Sequence, residues 1–191
     1  GVYISTEESE VDIVNDIQST FKKWNFKDMV QKGLIRVFSI RPLLIAPEEV
    51  DIKLIKIYIN SIIEKIDALV HEVKLSRVVI DSISMLEQFL KETYLARVGI
   101  ALLIDKLKSY GITTILTGTI EEGSEKLSGS GIVEFLVDGV IKLDFVPVSE
   151  EFQRTLIIRK MRRTNHSTFI HPFKITEEGI KVFKVEEIEK V

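Results

Sequence analysis

The chain has 191 residues, a formal net charge of −3, and contents of 45% apolar and 29% charged residues. This composition is typical of a soluble globular domain with one core, and it excludes an intrinsically disordered chain. The small negative charge argues against binding nucleic acid through overall charge. The absence of cysteine excludes disulfides and cysteine-based metal sites. No apolar run is long enough to cross a membrane and no leader is recognisable, so we expect a cytoplasmic protein.

The first part of the sequence alternates between strand and helix patterns. The apolar run Val2–Ile4 predicts a strand, and Leu34–Ile40 predicts a second one. Between them, a helix is predicted from four positions at helical spacing: Val14, Ile17, Phe21 and Trp24. A long helix is expected from near Pro47 to about Val73, because proline followed by acids favours a helix start and one apolar stripe continues throughout.

The middle of the sequence continues this alternation. Arg77–Ser82 is a short apolar run that ends in an acid, and it predicts a buried strand. A helix is predicted from about Met85 to Tyr110, where Gly111 stops it, and Ile112–Gly118 predicts another buried strand. Strands that alternate with helices indicate a layered α/β fold with a parallel sheet.

The last part of the sequence has a different pattern. Glu121–Gly131 is rich in glycine and polar residues, and it predicts an exposed, mobile loop. Four strands with little helix between them are then predicted: Val140–Phe145, Thr155–Met161, Phe169–Ile175 and Gly179–Val185. We expect an antiparallel meander attached to the edge of the parallel sheet. No internal repeat or linker divides residues 1–191, so one domain is expected.

Polar residues follow three of the predicted parallel strands. They are Ser5-Thr6-Glu7-Glu8, Asp81-Ser82 and Thr117-Gly118. In open α/β sheets, ligands bind at this carboxyl edge. An acid after a buried strand is the Walker B arrangement, which holds Mg²⁺ or its water shell beside a nucleotide, and a neighbouring carboxylate can deprotonate water. Each feature alone also fits a helix cap or a solvated helix start, but their coincidence indicates a nucleotide site.

A basic cluster, Arg159–His166, departs from the acidic balance of the chain. In an extended strand, side chains alternate between faces, so Met161 and Arg163 would point one way. The other face would carry Lys160, Arg162, Thr164 and His166. Two cations, a hydroxyl and an imidazole in one row suit a polyphosphate and its ribose. The alternative is an edge strand that is protected by charge.

In order and spacing, these segments resemble the KaiC-like branch of the RecA/RadA-type ATPases. The resemblance covers nearly the whole chain, from V-Y-I-S-T-E-E-S through R-V-V-I-D-S-I-S and T-T-I-L-T-G to K-M-R-R-T-N-H and H-P-F-K-I-T-E-E-G-I-K-V-F. It implies an α/β, RecA-like P-loop NTPase core with a parallel sheet, flanking helices and antiparallel C-terminal strands. It also implies binding of ATP and Mg²⁺ and assembly into a homo-oligomeric, hexamer-like ring.

The resemblance assigns roles to individual positions. Glu7 and Glu8 match the paired catalytic glutamates, with Glu8 as the water-polarising base and Glu7 as its partner. Asp81 matches the Walker B aspartate, which binds Mg²⁺ directly or through water. Ser19, on the first helix, matches a position close to the bound nucleotide.

Five residues match the family's K-L-R-G-T-x-H stretch: Lys160, Met161, Arg162, Thr164 and His166. In the family this stretch reaches nucleotide held mainly by the neighbouring subunit, so the resemblance makes Lys160 and Arg162 trans cations on the γ-phosphate. Met161 replaces the usual leucine. Arg163 replaces the usual glycine, and it adds bulk and charge where the nucleotide would fit.

The sequence contains no G-x-x-x-x-G-K-[ST] phosphate-binding motif. In the family this motif precedes the strand that opens the present chain, and by resemblance its strand would lie between those ending at Asp81 and Thr117. Loss of a central strand would leave backbone groups unpaired at about 1–3 kcal/mol each. We therefore expect residues 1–191 to be an N-terminally incomplete domain and part of a longer protein.

Three functions follow from this reading. The leading one is an ATPase with nucleotide at subunit interfaces. A pseudo-ATPase used for assembly or signalling is the alternative, which the missing motif and Arg163 favour. Nucleic-acid binding is less favoured, because the loop Glu121–Gly131 carries three glutamates against one lysine and would repel phosphates.

Overall fold

The protein is described by a computed structural model, which covers residues 1–41, 52–72, 74–89, 93–121 and 124–185. Four strands form a parallel sheet in the order β2-β1-β3-β4. Their bounds are β1 Val2–Ser5, β2 Arg36–Ser39, β3 Arg77–Asp81 and β4 Thr113–Leu116. All four strands are confirmed: β1 is one residue longer than its predicted run, and the other three are shorter than theirs by one to three residues.

Helices lie on both faces of this sheet. Their bounds are α1 Glu10–Thr20, α2 Phe26–Gln31, α3 Ile52–Glu72, α4 Ser84–Phe89, α5 Thr93–Ser109 and α6 Val133–Leu136, with a 3₁₀ turn at Lys22–Trp24. The larger core joins alternate residues of β1 and β3, such as Ile4 and Ile80, to α3 and α5. The smaller core lies on the opposite face, where Val37 of β2 packs with Ile13 and Phe26. Alternation of side chains along each strand supplies both faces.

No helix among the described residues combines the length and the hydrophobicity that crossing a bilayer requires.

The C-terminal strands form their own antiparallel sheet, in the order β5-β6-β7-β8. Their bounds are β5 Gly139–Val148, β6 Glu151–Met161, β7 His171–Thr176 and β8 Gly179–Val182. The antiparallel meander is confirmed, but its expected attachment to the edge of the parallel sheet is wrong. Two residues connect β5 to β6, and Val148 pairs directly with Glu151, so β5 pairs with the strand that a tight turn brings back to it.

The expected position of the phosphate-motif strand is also wrong. β3 and β4 are hydrogen-bonded neighbours over four residue pairs, from Arg77 with Thr113 to Ile80 with Leu116. No strand can lie between two strands that already pair with each other. The described sheet therefore has no gap at this position.

Two predicted helices have different ends. The first helix ends at Thr20, and Phe21 and Trp24 lie beyond it as a stacked pair with ring centroids 4.3 Å apart. The segment predicted as one helix from Met85 to Tyr110 contains α4 and α5, and residues 90–92 lie outside the described part. The predicted helix start at Pro47 and its end at Val73 also lie outside it, while α3 covers residues 52–72 of that prediction.

The glycine-rich loop is more closely bound than its composition predicts. Glu87 of α4 accepts hydrogen bonds from the backbone N–H and the hydroxyl of Ser130, at 3.0 and 2.6 Å. Ser128 is buried, and it donates to Glu134 at 2.5 Å. The described end of this loop, residues 124–131, is thus fixed to neighbouring helices and is not fully exposed.

The core of α3 allows a matched test. Ile62 is fully buried in the larger core, whereas Ile57 on the same helix is 52% exposed. We expect Ile62→Ala to lower the free energy of unfolding by about 2–5 kcal/mol, because it removes packed atoms and leaves a cavity. Ile57→Ala should cost below about 1 kcal/mol. Urea unfolding of both variants measures the difference, and equal losses would contradict this core.

Candidate functional site

The carboxyl ends of β1 and β3 bring the predicted acidic segments together. Their register pairs Ser5 with Asp81. Just beyond this pair, Ser82 donates its hydroxyl to Glu7 Oε1 at 2.9 Å. Thr6 Oγ1 also accepts from the backbone N–H of Ser82 at 3.0 Å and donates to its carbonyl at 2.9 Å. The predicted convergence of the two strand ends at one edge is present.

Both carboxylate oxygens of Asp81 are held by neighbouring strands. The Tyr3 hydroxyl on β1 donates to Oδ2. On the other side, Thr117 Oγ1, one residue beyond β4, donates to Oδ1 at 2.5 Å. Burial raises the pKa of Tyr3, as do its hydrogen bond to Asp81 and the charges of Asp81 and Glu8. The phenol therefore stays protonated and keeps donating, which fixes the orientation of the aspartate.

Glu7 and Glu8 have exposed side chains on a firmly held backbone. The hydroxyl residues before them, Ser5 and Thr6, are only 1% exposed. The backbone N–H of Glu8 donates to Ser5 Oγ at 2.9 Å, and its carbonyl accepts from Ser39 Oγ at 2.8 Å. This backbone places two carboxylates at the sheet edge and leaves them open to a ligand.

The oxygen atoms at this edge fit a hydrated Mg²⁺ ion. No group of three or more His, Cys, Asp or Glu residues in the described part of the chain could enclose a metal. Mg²⁺ does not require such a cage, because it usually keeps several waters and binds one or two carboxylates together with substrate phosphates. Each Asp81 oxygen accepts one protein hydrogen bond and retains capacity for another donor, so a water of the ion's shell can bind there.

The predicted phosphate-binding cations contact their own chain. Lys160 Nζ donates to the carbonyl oxygens of Glu134 and Val137, both at 2.7 Å. The Arg162 guanidinium donates to the carbonyl of Phe135 at 2.9 Å. These acceptors form the last turn of α6 and its cap. The described hydrogen bonds and ion pairs therefore do not join the cations to the predicted acids within one subunit.

The expected row of four side chains on one strand face is wrong. It consisted of Lys160, Arg162, Thr164 and His166. Strand β6 ends at Met161, which pairs with Gly139, and the chain then turns at Arg163, whose φ is +59°. Because this turn interrupts the alternation of side chains, Thr164 and His166 follow a different direction from Lys160. The ring Nδ1 of His166 lies 3.1 Å from the carbonyl oxygen of Ser167.

The chain is similar to known proteins along nearly its whole length. A family model described as the ATPase KaiC matches residues 1–187. The chain belongs to the KaiC ATPase family. It is 34% identical to the circadian clock protein KaiC2 of Synechocystis over 188 residues. This alignment covers 97% of this chain and 31% of that protein. It is also 32% identical to a UPF0273 protein of Pyrococcus horikoshii over 186 residues, and this alignment covers 96% of this chain and 73% of that protein.

The crystal structure of a KaiC-like protein from Pyrococcus horikoshii has the same fold. The match has a TM-score of 0.77 at 32% identity, and it covers 96% of this chain and 75% of that one. The expected RecA-like α/β core of the KaiC family is thereby confirmed. The chain spans less than a third of the length of KaiC2 and about three quarters of the two archaeal relatives.

Ser19 is another member of the predicted site that the structure does not bring to the acids. It lies one residue before the end of α1, and its hydroxyl donates to the carbonyl of Asp16 at 3.0 Å. Helix α1 begins next to the acidic edge at Glu10, and Ser19 lies about 13 Å further along the axis, at 1.5 Å per residue. Its place near the nucleotide in the KaiC family stays a prediction.

Sequence reasoning did not single out Tyr3, Lys108 or Asp138. Alternation along β1 and β3 assigns Tyr3 and Asp81 each to one face of its own strand. It does not tell which residues of the two strands become neighbours. Only the register, with Tyr3 beside Val79 and Ser5 beside Asp81, places the phenol within reach of the carboxylate. Asp138 contacts Lys108 and Arg162, which are 30 and 24 positions away in the chain, so no local pattern indicates it.

The Tyr3 hydroxyl provides a test of the position of Asp81. We expect Asp81→Asn to lower the pKa of Tyr3, because the charge on its acceptor is lost, while burial keeps that pKa above the ordinary 10.0. The folded state binds this proton more tightly than the unfolded one. The raised pKa of Tyr3 therefore adds to the free energy of unfolding. This contribution is complete below about pH 10 and is lost as the pH rises above that value.

Ultraviolet titration of the phenols measures this change, and Tyr3→Phe identifies the signal. Asp144→Asn is the control, because Asp144 pairs with Lys142 at 3.0 Å on β5. An unchanged Tyr3 pKa in Asp81→Asn would contradict the proposed contact.

The turn after β6 provides a second test, since Arg163 stands where the family pattern has glycine. A side chain at positive φ costs roughly 1–2 kcal/mol, and glycine loses about 0.5–1 kcal/mol more backbone entropy on folding. Arg163→Gly should therefore be more stable than Arg163→Ala by about 0.5–1 kcal/mol. Thermal or urea unfolding of the pair measures this, and a more stable alanine variant would disprove the strained turn.

Proposed function

We propose that this chain is the ATP-hydrolysing domain of a ring-forming KaiC-family protein, with MgATP bound between subunits. One observation carries the proposal: Asp81 is held from both sides by Tyr3 and Thr117, one strand away from Glu7 and Glu8 at the same sheet edge. A fixed carboxylate beside exposed ones is what metal-assisted attack of water on a phosphate requires.

The acids divide the chemistry between them. Asp81 would hold a water of the Mg²⁺ shell, and the ion would neutralise charge on the phosphates when bound. Glu8 has a fixed backbone and an exposed carboxylate, so it can accept a proton from the attacking water. Glu7 is restrained by the hydroxyl of Ser82, so it places a second carboxylate in the chain position next to the base.

The cations would complete the site of the neighbouring subunit. Lys160 and Arg162 lie at α6 together with Lys108, and within the described residues the ion pairs of Lys108 and Arg162 share one carboxylate, Asp138. The cluster therefore carries an excess of positive charge that suits a phosphate. Because the cations do not contact the acids of their own chain, a site shared between subunits of a homo-oligomer uses both sets of residues.

The central test is Glu8→Gln in the intact protein. We expect ATP turnover to fall by about 10²–10⁴-fold, because the base is lost, while ATP binding is retained, because the amide has the same shape. Glu64→Gln, at an exposed position of α3, is the control and should hydrolyse ATP normally. Steady-state phosphate release and equilibrium nucleotide binding measure the two properties.

The outcomes separate the two leading functions. Normal turnover in Glu8→Gln would remove Glu8 from the mechanism. No turnover in the wild-type protein that still binds ATP would support the pseudo-ATPase alternative instead.

A further inference from the structure

The last turn of α6 is surrounded by cations. Four consecutive carbonyls, those of residues 134–137, each accept a hydrogen bond from a cationic side chain. Lys160 Nζ donates to the first and the last at 2.7 Å, Arg162 to the second at 2.9 Å, and Lys108 to the third at 3.0 Å. Carbonyls at a helix C-terminus lack partners within the helix and carry partial negative charge. They therefore provide a fixed set of acceptors for three positive side chains.

Asp138, the next residue, joins two of these cations. Its Oδ1 accepts from Lys108 Nζ at 3.2 Å and lies 3.4 Å from the Arg162 guanidinium. The carbonyl of Asp138 also accepts the backbone N–H of Arg162 at 2.8 Å. The hydrogen bond from Lys108 is the largest cause that lowers the pKa of Asp138, so the carboxylate remains charged between its two partners.

We infer that Asp138 and Lys108 are positioning residues. Asp138 holds Arg162 by an ion pair, and Lys108 holds the α6 turn that binds Lys160, so both cations keep the orientation that the neighbouring subunit's nucleotide needs. This inference rests on the proposed function. Two of the three N–H donors of Lys160 bind carbonyls, which leaves one for a phosphate oxygen. Arg162 likewise keeps donors beyond those that contact Phe135 and Asp138.

The ion pairs have little value for stability. The side chains of Lys108, Asp138 and Arg162 are 41%, 63% and 48% exposed, and exposed pairs contribute little to folding. They do restrict long side chains that would otherwise sample many rotamers and repel one another. A group that must meet a phosphate accurately loses much of its effect when it is displaced by about 1 Å.

The first arm of the test uses Asp138→Asn, which keeps the shape of the side chain and removes its charge. We expect kcat for ATP hydrolysis to fall at least about tenfold, with KM for ATP changed less than about twofold, because the nucleotide is held mainly by the other subunit. Asp144→Asn, on β5 and away from the cluster, should behave as wild type. Lys108→Met should resemble Asp138→Asn, and Lys108→Arg should restore most of the activity.

The second arm identifies the subunit in which the defect acts. Asp138→Asn subunits are co-expressed with Glu8→Gln subunits, so that hybrid interfaces combine intact acids from one with intact cations from the other. Turnover above that of either variant alone is the expected result, because the Asp138→Asn defect acts in trans. A structural defect of Asp138→Asn subunits would not be rescued in this way.

A reference mixture distinguishes a failure of the positioning role from a failure of the proposed function. Glu8→Gln subunits mixed with Lys160→Ala subunits should also recover turnover, and failure of this mixture would overturn the proposed function itself. If the reference recovers and the Asp138→Asn mixture does not, the positioning role is wrong. Wild-type kcat in Asp138→Asn alone would overturn it as well.

Discussion

The parallel pairing of β3 with a strand on each side is the constraint on which the rest of the site depends. Asp81 ends β3, and it is bound by Tyr3 from β1 and by Thr117 beyond β4. A shift of register by one residue would turn Asp81 toward the opposite face of the sheet, where Ile4 and Ile80 form the core. Packing of the core and orientation of the site are therefore specified by the same register.

The acids and the cations are fixed by different kinds of structure. Buried hydroxyls and strand pairing hold the backbone at Glu7 and Asp81, so their positions follow from the core. Lys160 and Arg162 are held by carbonyls of a four-residue helix and by Asp138, all near the surface. In the proposed ring, the first set is rigid with its own subunit. The second set depends on local contacts that a neighbouring phosphate can share.

Much of this fold and site could be predicted from local patterns. The parallel strands end in acids and hydroxyls where the sequence indicates, because apolar runs and their polar ends are local features. The helix predicted through Trp24 was wrong for a reason that lies elsewhere in the chain. Trp24 stacks on Phe21 and donates to the carbonyl of Glu178 in the β7–β8 turn, at 2.9 Å. Its helical spacing therefore reflects a distant contact and not a continuing helix.

The sequence by itself determined the element types, the family and the acids at the strand ends, because these depend on hydrophobic periodicity and on motifs read within a few residues. Only the tertiary structure decided that β3 and β4 are direct neighbours, that Tyr3 reaches Asp81, and that α6 gathers three cations. Each of these is a contact between residues at least 20 positions apart. Such contacts depend on register and on where the chain turns, and no local pattern encodes either of them.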